Sequence, residues 1–415
     1  MFYRLSVVSG VAVSSYLTVK FLNHFERREQ VLNAGDVGLE YENTELKLVQ
    51  VLFRHGARTP LKLIPGLEET VWNKYELRYD LEHTKLRHKL KNLKRGELPP
   101  LSVKDELRGG CRMGQMTITG QQQTFELGRK LKELYIDDLN FIGQTFDPNS
   151  IYLRTTYVER TIESLRCLVA GMFAGHIQEP VTFWTMPLDD EFLFPNWETC
   201  KALRQYIKYC FKTGYRLPGY KDDLEKFSKM IGRPLPKKTF IDIYDDLNCR
   251  RAHNKAYPEN IKSFMSIIEK HALQHLSESF LSPPPWTNDK VLPMSCGRLV
   301  QTLFRNMKSK IDRKNQYKLY LYSVHDTSLI TLFSALDMKF DKWPPFGAYI
   351  SLELYEKKDG QHYVGMRYCG NPVTFKRFNK KLLKLSQFEE IVTPFFLDGS
   401  DLENACETIF NIPDN

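Results

Sequence analysis

The stretch Val-Gln-Val-Leu-Phe-Arg-His-Gly-Ala-Arg-Thr-Pro, residues 49–60, decides the fold. Its first half is an apolar run rich in β-branched residues, which predicts a buried strand, and Pro60 ends the strand pairing. Gly56 lets the backbone turn sharply and approach a ligand. His55 would then lie at the carboxyl end of a strand, where open α/β sheets bind their ligands.

Two arginines flank this histidine and indicate its chemistry. A guanidinium group can bind two phosphate oxygens at once, so Arg54 and Arg58 predict a phosphate site. Their positive charge should lower the pKa of His55, and a neutral imidazole is a nucleophile. We therefore expect His55 to attack a bound phosphoryl group. The alternative, on this stretch alone, is a buried histidine beside two surface arginines.

Two further strand ends carry residues of the same kind. Residues 151–153 form a short apolar run that ends at Arg154, and residues 318–324 alternate cleanly before His325 and Asp326. His325 can donate a hydrogen bond to a phosphate oxygen. Asp326, when protonated, can supply the proton that the leaving oxygen needs as the P–O bond breaks.

Together these segments resemble the histidine acid phosphatases, the second branch of the histidine phosphatase superfamily. The resemblance covers Arg-His-Gly-Ala-Arg-Thr-Pro at 54–60, Arg-Thr-Thr at 154–156 with Arg-Thr at 160–161, and His-Asp at 325–326. It implies that Arg154 is the third phosphate-binding arginine, beside Arg54, Arg58 and His325. It also implies that His55 is the nucleophile, Asp326 is the proton donor, and no metal or other cofactor takes part.

The same pattern predicts the architecture. Strands are expected at 181–186 and 318–324, a hairpin at 349–355 and 363–368, and a helix after Thr117. The fold class is α/β: a mixed, mostly parallel central sheet flanked by helices, with a smaller all-helical cap inserted. We expect a targeting or anchor segment at 1–40, a catalytic core at 41–195 and 308–415, and the cap at 196–307. Residues 61–110 show no firm period and predict irregular structure.

The first 25 residues contain no acidic side chain and are mostly apolar from Leu5 to Leu22. Three interpretations compete: a mitochondrial presequence or anchor, a secretory signal, and a short membrane span. The family resemblance favours a mitochondrial location, with a secretory or lysosomal one as the alternative. Membrane contact would then run through this N-terminal segment.

The net charge of +9 excludes little by itself. No nucleic-acid-binding motif accompanies it, so we expect no nucleic-acid partner; anionic lipid or phosphate substrates fit the charge equally well. A basic cluster at 85–95 predicts either a solvated surface or a contact for anionic lipid. His271 and His275 have helical spacing, and a solvated helix face is favoured over a metal site, which would need a third ligand.

Eight cysteines occur without any C-x-x-C pair, so no zinc ribbon or dithiol redox motif is predicted. We expect most of them to be free thiols, and Cys167 to be a packing residue inside a helix.

The resemblance implies a phosphomonoesterase that forms a phosphohistidine, and it is strongest to the members that act on lysophosphatidic acid. The predicted substrate is therefore a lysophospholipid. The alternatives are an acid phosphatase for other small phosphates or inositol phosphates and, from a different class, an inactive phosphoanion-binding module tethered to a membrane. The mutase branch of the superfamily has a different continuation after Arg-His-Gly, which residues 57–60 do not fit.

Overall fold

The computed structural model describes residues 41, 43–173, 175–177, 180–213, 217–235, 239–281, 291–397 and 399–408. The predicted targeting segment, residues 1–40, lies outside these ranges. Within them, no helix is both long enough and apolar enough to cross a bilayer.

Strands and helices follow one another in the order expected of an α/β core with a helical insertion. The strands are β1 (Thr44–Arg54), β2 (His88–Asn92), β3 (Ile151–Thr155), β4 (Val181–Thr185), β5 (Leu319–Val324), β6 (Tyr349–Lys357), β7 (His362–Tyr368), β8 (Asn371–Pro372) and β9 (Leu382–Lys384). The α-helices are α1 (Lys74–Leu77), α2 (Ile118–Lys132), α3 (Glu159–Phe173), α4 (Lys201–Thr213), α5 (Tyr220–Met230), α6 (Phe240–Ala252), α7 (Glu259–Leu281), α8 (Val291–Ile311), α9 (Asp326–Ala335), α10 (Leu385–Val392) and α11 (Gly399–Glu407).

One mixed sheet organises the core. Its strand order is β2-β4-β3-β5-β1-β6-β7-β8, and β9 pairs with β7. The strands from β2 to β1 run parallel, and β6 begins the antiparallel part with a hairpin to β7. The sheet confirms the predicted α/β class. It also places the carboxyl ends of β1, β3 and β5 side by side, because parallel neighbours end at one edge.

Both faces of the sheet are covered, which explains why β1 is buried continuously from Leu48 to Arg54. One face packs against α2 and α3, where Leu131, Leu165 and Leu168 are fully buried. The other face packs against α8, α9 and α10. The alternation of side chains along β1 therefore sends Val51 to one apolar cluster and Leu52 to the other.

The described part of the chain between residues 196 and 307 contains helices and no strand. Helices α4 to α7 enclose an apolar cluster of their own, which also takes in Trp343. Helix α8 joins this cluster to the core: Val291 belongs to the cap cluster, whereas Leu303 and Met307 pack on the sheet. The predicted cap boundary at residue 307 thus falls within a continuous helix.

Two features of the structure correct the predictions from sequence. The segment predicted to be irregular, 61–110, contains the edge strand β2, which pairs in parallel with β4. His271 and His275 do not lie on a solvated face: both are buried, one bonded to Asp223 and the other to the carbonyl of Cys210. Among the described residues, no group of three or more His, Cys, Asp or Glu side chains is placed to hold a metal ion.

The cysteines behave largely as expected. Six are free thiols, and Cys167 is fully buried in α3. The exception is a disulfide between Cys200 and Cys406, which ties the C-terminal helix α11 to the start of the cap.

Candidate active site

The signature histidine and the His-Asp pair meet because β1 and β5 are adjacent parallel strands. Arg54, the last residue of β1, lies in register with Val324, the last residue of β5. Both strands therefore end at the same edge of the sheet, and the ring centres of His55 and His325 are 5.6 Å apart. Two residues separated by 270 positions in sequence thus share one site.

The loop that carries His55 is held by helices α2 and α3. The amide of Gly56 donates to Ser164 Oγ at 3.0 Å, and the amide of Ala57 donates to Gln123 Oε1 at 2.9 Å. A Cβ atom on Gly56 would lie 2.3 Å from the carbonyl oxygen of Gly120. The glycine is thus required by the close approach of α2, and its φ does not lie in the left-handed region.

The hydrogen bonds of His55 determine which of its nitrogens can react. Nδ1 lies 2.9 Å from the carbonyl oxygen of Gly56, and a carbonyl can only accept, so Nδ1 carries the proton. Nε2 keeps a free lone pair. Burial, together with the charges of Arg160, Arg58 and Arg54, lowers the pKa of His55 well below 6.5. The neutral, nucleophilic imidazole therefore persists below the pH at which an ordinary histidine side chain gains its proton.

His325 is oriented by a chain of hydrogen bonds. A guanidinium N–H of Arg160 points at Nδ1 from 3.4 Å, so Nε2 carries the proton and donates to Thr156 Oγ1 at 3.1 Å. Thr156 Oγ1 lies 2.7 Å from Thr161 Oγ1, which donates in turn to the carbonyl of Val158 at 2.8 Å. Burial and the charge of Arg160 lower the pKa of His325 well below 6.5.

Arg54 and Arg58 are both buried and each is held by a carboxylate. Arg54 Nη2 lies 2.7 Å from Asp326 Oδ2, and its guanidinium stacks 4.2 Å from the ring centre of Phe346. Arg58 Nη2 donates to Asp245 Oδ1 at 2.7 Å, and the other oxygen of Asp245 accepts from the amide of Leu61 at 2.7 Å. The cap helix α6 therefore fixes Arg58 and the end of the signature loop with a single side chain.

Arg154 does not take the place that the family resemblance implied. Its Nη2 donates to both oxygens of Glu191, at 2.7 and 2.8 Å, and both side chains are buried outside the cavity that His55 lines. Alternation along β3 explains this, because Arg154 shares a face with Tyr152, whereas Leu153 belongs to the opposite apolar cluster. The prediction for Arg154 is corrected: its charge is neutralised by a buried ion pair.

Arg160 is a residue of this cavity that the prediction missed. It lies in the first turn of α3, lines the cavity beside His55 and His325, and has no carboxylate partner among the described residues. Burial and the nearby Arg58 lower the pKa of Arg160 to about 9, which still leaves it charged at neutral and acidic pH. A signal was available in the sequence, because the Arg160-Thr161 pair belongs to the matching segment and a helix N-terminus favours anions.

Asp326 begins α9 and faces the cavity. Burial raises the pKa of its carboxyl group, but the charges of Arg54 and Arg58 and the indole N–H of Trp343, 3.0 Å away, outweigh burial and bring the pKa below its ordinary value. Without a ligand, Asp326 is therefore ionised and paired with Arg54. A bound phosphate dianion would compete for that arginine and raise the pKa of the carboxyl group.

These residues form one end of a cavity of about 480 Å³. Arg58 and Arg160 line its polar end with one carboxylate, Asp326, and Arg54 lies behind that carboxylate as its ion-pair partner. Glu159, which also lines the cavity, is paired with Arg78, so the arrangement is net positive and suits a phosphate dianion. Its opposite walls are largely apolar and come from both the core and the approach to the cap: Leu61, Leu101, Met113, Leu188, Phe194 and Trp197. The cavity can therefore hold a molecule with a phosphate at one end and an apolar body.

Known proteins are similar to this chain in sequence and in fold. Residues 45–368 match the model of the histidine phosphatase superfamily (branch 2). Human lysophosphatidic acid phosphatase type 6 is 31% identical over 90% of this chain and 88% of its own length, and human prostatic acid phosphatase is 27% identical over 78% and 77%. The Hafnia alvei phytase complex with tartrate covers 88% of this chain and 99% of its own, with 14% identity and a TM-score of 0.59.

Proposed function

Because the chain belongs to branch 2 of the histidine phosphatase superfamily and is a phosphomonoesterase, we propose that it hydrolyses lysophosphatidic acid to monoacylglycerol and phosphate through a phosphohistidine on His55. The observation that carries this proposal is the two-ended cavity. Arginines and histidines lie at one end, and large apolar side chains line much of the rest, with Lys104 and Arg112 among them. A lysophosphatidate has the same division, with a phosphate dianion on one end and an acyl chain on the other.

The similarity to the lysophosphatidic acid phosphatases type 6 supports the same substrate. Four such relatives, from human, orangutan, cattle and mouse, are 30–32% identical over 87–91% of this chain. The likeness to phytases concerns the fold alone. An inositol polyphosphate needs cations around its whole ring, whereas the outer part of this cavity offers Lys104 and Arg112 among mostly apolar side chains.

In the proposed reaction, Arg54, Arg58 and Arg160 bind the phosphate oxygens and stabilise the charge that develops on them. His325 joins them when a phosphate oxygen replaces Thr156 Oγ1 as the acceptor of its Nε2–H. The lone pair of His55 Nε2 attacks phosphorus opposite the leaving oxygen, and the bond between phosphorus and the ester oxygen of the glycerol breaks. The product of this step is a phosphohistidine. Water then attacks the same phosphorus, which releases inorganic phosphate and regenerates the imidazole.

Asp326 handles the proton in both steps. The substrate dianion takes over the charge of Arg54, so the carboxyl group gains a proton and donates it to the departing alkoxide. A substrate that binds as its monoanion brings the proton with it; phosphate monoesters lose their second proton near pH ~6. We therefore expect kcat/KM to fall as the pH rises above this range. In the second step the ionised carboxylate accepts the proton of the attacking water.

The experiment that tests the proposal is phosphate release from oleoyl-lysophosphatidate, an aryl phosphate and inositol hexakisphosphate, each with the parent protein and its His55→Ala variant. We expect turnover of the lysolipid that the variant loses. Cleavage of the aryl or inositol substrate alone would retain the phosphatase and refute the lipid assignment. If the parent protein cleaves none of the three substrates, the inactive phosphoanion-binding module is favoured.

We also propose a mitochondrial location with membrane contact through the N-terminal segment. The acid-free, mostly apolar composition of residues 1–25 supports this proposal. Residues 1–40 fused to a fluorescent protein should direct it to mitochondria. A secretory or lysosomal pattern of the fusion would contradict the proposal.

A further inference from the structure

Large apolar side chains that are exposed to solvent are concentrated in one segment of the chain. Of the nine such residues among those that the structure describes, seven lie between residues 61 and 103. Single exposed apolar residues are normal on a soluble protein, but a cluster rimmed by polar residues marks an interaction site. Val103, with 71% of its surface exposed, is the most solvated aliphatic member.

Part of this cluster lies at the mouth of the active-site cavity. Leu61, Leu101 and Leu188 are exposed and also line that cavity. Val103 lies between two further lining residues, and its loop is anchored by a 2.7 Å hydrogen bond from Tyr157, which lines the cavity too, to the carbonyl of Pro99.

Strand β2 carries the cluster further along the sheet edge. The amide of Leu93 donates to the carbonyl of Thr185, and Lys94 pairs with Asp190 at 2.5 Å. Asp190 shares a short helical turn with Leu188, so Leu93 lies near the cavity wall. We call Leu61, Leu93, Leu101, Val103 and Leu188 the mouth surface.

The chain around the mouth surface is strongly basic. Residues 85–112 contain nine Lys and Arg and three Asp and Glu, a net charge of +6 within a protein of +9. Lys104 and Arg112 line the cavity, are exposed, and form no ion pair with any carboxylate that the structure describes. Exposed apolar side chains mixed with unpaired cations match the surface of a membrane that contains anionic lipid.

We propose that the mouth surface docks on a bilayer containing anionic phospholipids, so that a lysophospholipid enters the cavity with its phosphate first while its acyl chain stays among apolar side chains. This inference deepens the proposed function and rests on it for the substrate. The phosphate leaves the bilayer interface for the arginines, and the acyl chain passes from lipid to Leu101 and Leu61 without crossing water.

The test uses the full chain and two double variants that do not line the cavity. Leu93→Ser with Val103→Ser removes apolar surface, and Lys91→Gln with Arg95→Gln removes exposed charge. The matched control is Lys357→Gln with Lys358→Gln, because this hairpin pairs with Thr44, at the opposite end of β1 from the site. Co-sedimentation with phosphatidylcholine vesicles, with and without phosphatidylserine, gives the partition coefficient.

Each cation near an anionic bilayer contributes about a fivefold factor in the partition coefficient, so the charge variant, which lacks two cations, should bind phosphatidylserine vesicles about 25-fold more weakly. The apolar variant should weaken binding to both kinds of vesicle, and added salt should weaken binding of the parent. Both variants should hydrolyse a soluble aryl phosphate at the parent rate and vesicle-borne oleoyl-lysophosphatidate more slowly.

Equal vesicle binding by parent and variants, or an equal loss in the control, would overturn the docking proposal. Tight binding to duplex DNA that survives the loss of both apolar side chains would assign the basic surface to nucleic acid and also overturn it. The two proposals fail separately. Lysolipid hydrolysis without variant-sensitive vesicle binding refutes the docking surface alone, whereas variant-sensitive binding without lysolipid hydrolysis supports the docking surface and refutes the substrate.

Discussion

Arg160 and Arg154 lie six residues apart, and replacing each with methionine should affect different properties: catalysis for Arg160 and stability for Arg154. Arg160 lines the cavity without a carboxylate partner, whereas Arg154 forms a fully buried ion pair with Glu191. Loss of Arg160 removes one charge from the phosphate site. Loss of Arg154 leaves the Glu191 carboxylate buried and without its guanidinium.

The expected sizes of the two effects follow from the surroundings of each arginine. Removing one pre-positioned donor from a developing oxyanion costs about 100- to 1,000-fold in rate, so Arg160→Met should lower kcat/KM by that factor with little change in Tm. Breaking a buried ion pair from one side costs about 3–5 kcal/mol, so Arg154→Met should lower the free energy of unfolding by that amount. The assays are aryl phosphate hydrolysis and thermal unfolding.

The pH profile provides a second readout that a purely structural role would not change. After burial, the charge of Arg160 is the largest cause of the lowered pKa of His55. Without that charge the pKa of His55 rises, and because only the neutral imidazole attacks, the acid limb of kcat/KM should move to higher pH. Arg154→Met should leave the acid limb where it is in the parent.

A compensated variant keeps this test decisive if Arg154→Met alone does not fold. Glu191 also accepts hydrogen bonds from the amides of Phe192 and Leu193, so Arg154→Met with Glu191→Gln removes both charges and keeps an acceptor for those amides. This double variant should fold and retain most of the parent activity. If the folded double variant loses as much kcat/KM as Arg160→Met, the assignment of the two arginines is refuted.

Three further outcomes follow from the structure. Asp326→Ala should slow hydrolysis of an alkyl phosphate far more than that of an aryl phosphate, whose leaving group needs little protonation; equal losses on the two substrates would contradict its role as proton donor. Gly120→Ala would place a Cβ 2.2 Å from a carbonyl oxygen of the signature loop and should reduce kcat, whereas Gly143→Ala, with nothing within 4 Å, should not; equal kinetics of the two variants would show that the loop tolerates displacement. Cys406→Ser should lower the free energy of unfolding by about 2–5 kcal/mol, because the disulfide to Cys200 closes a loop of 206 residues in the unfolded chain; an unchanged unfolding curve under oxidising conditions would refute that contribution.

Much of the fold could be predicted because the core strands are apolar and end in distinctive residues. The predicted runs near residues 181 and 319 and the hairpin near 349 are strands, and the helix after Thr117 begins there with its side chain accepting the amide of Gly120. Strand β2 was missed because its sequence, His-Lys-Leu-Lys-Asn, has one apolar residue in five and gains its place only by pairing with β4.

The sequence predicted the site residues that lie at the ends of the apolar strands. His55, Arg54 and Arg58, together with His325 and Asp326, meet in the structure because their strands are neighbours. Arg154 was assigned wrongly because a residue at a strand end can point to either face. Sequence alone does not show that Glu191 is placed to receive its guanidinium.

The burial of polar residues in the cap could not be predicted from the sequence either. The spacing of His271 and His275 places them on one face of a helix but does not show whether that face is exposed. Their burial depends on how α7 packs against α5 and α4. The disulfide partners Cys200 and Cys406 are 206 residues apart in sequence and are brought together only by the fold.

The central claim is that Nε2 of His55 attacks phosphorus, and trapping the intermediate tests it most directly. The protein would be mixed with a radiolabelled phosphate monoester and quenched in alkali within one turnover, because a phosphohistidine survives alkali and is lost in acid. We predict an alkali-stable label on the peptide that contains His55, and no label in His55→Ala. A label on another residue, or turnover at the parent rate without His55, would contradict the proposed mechanism.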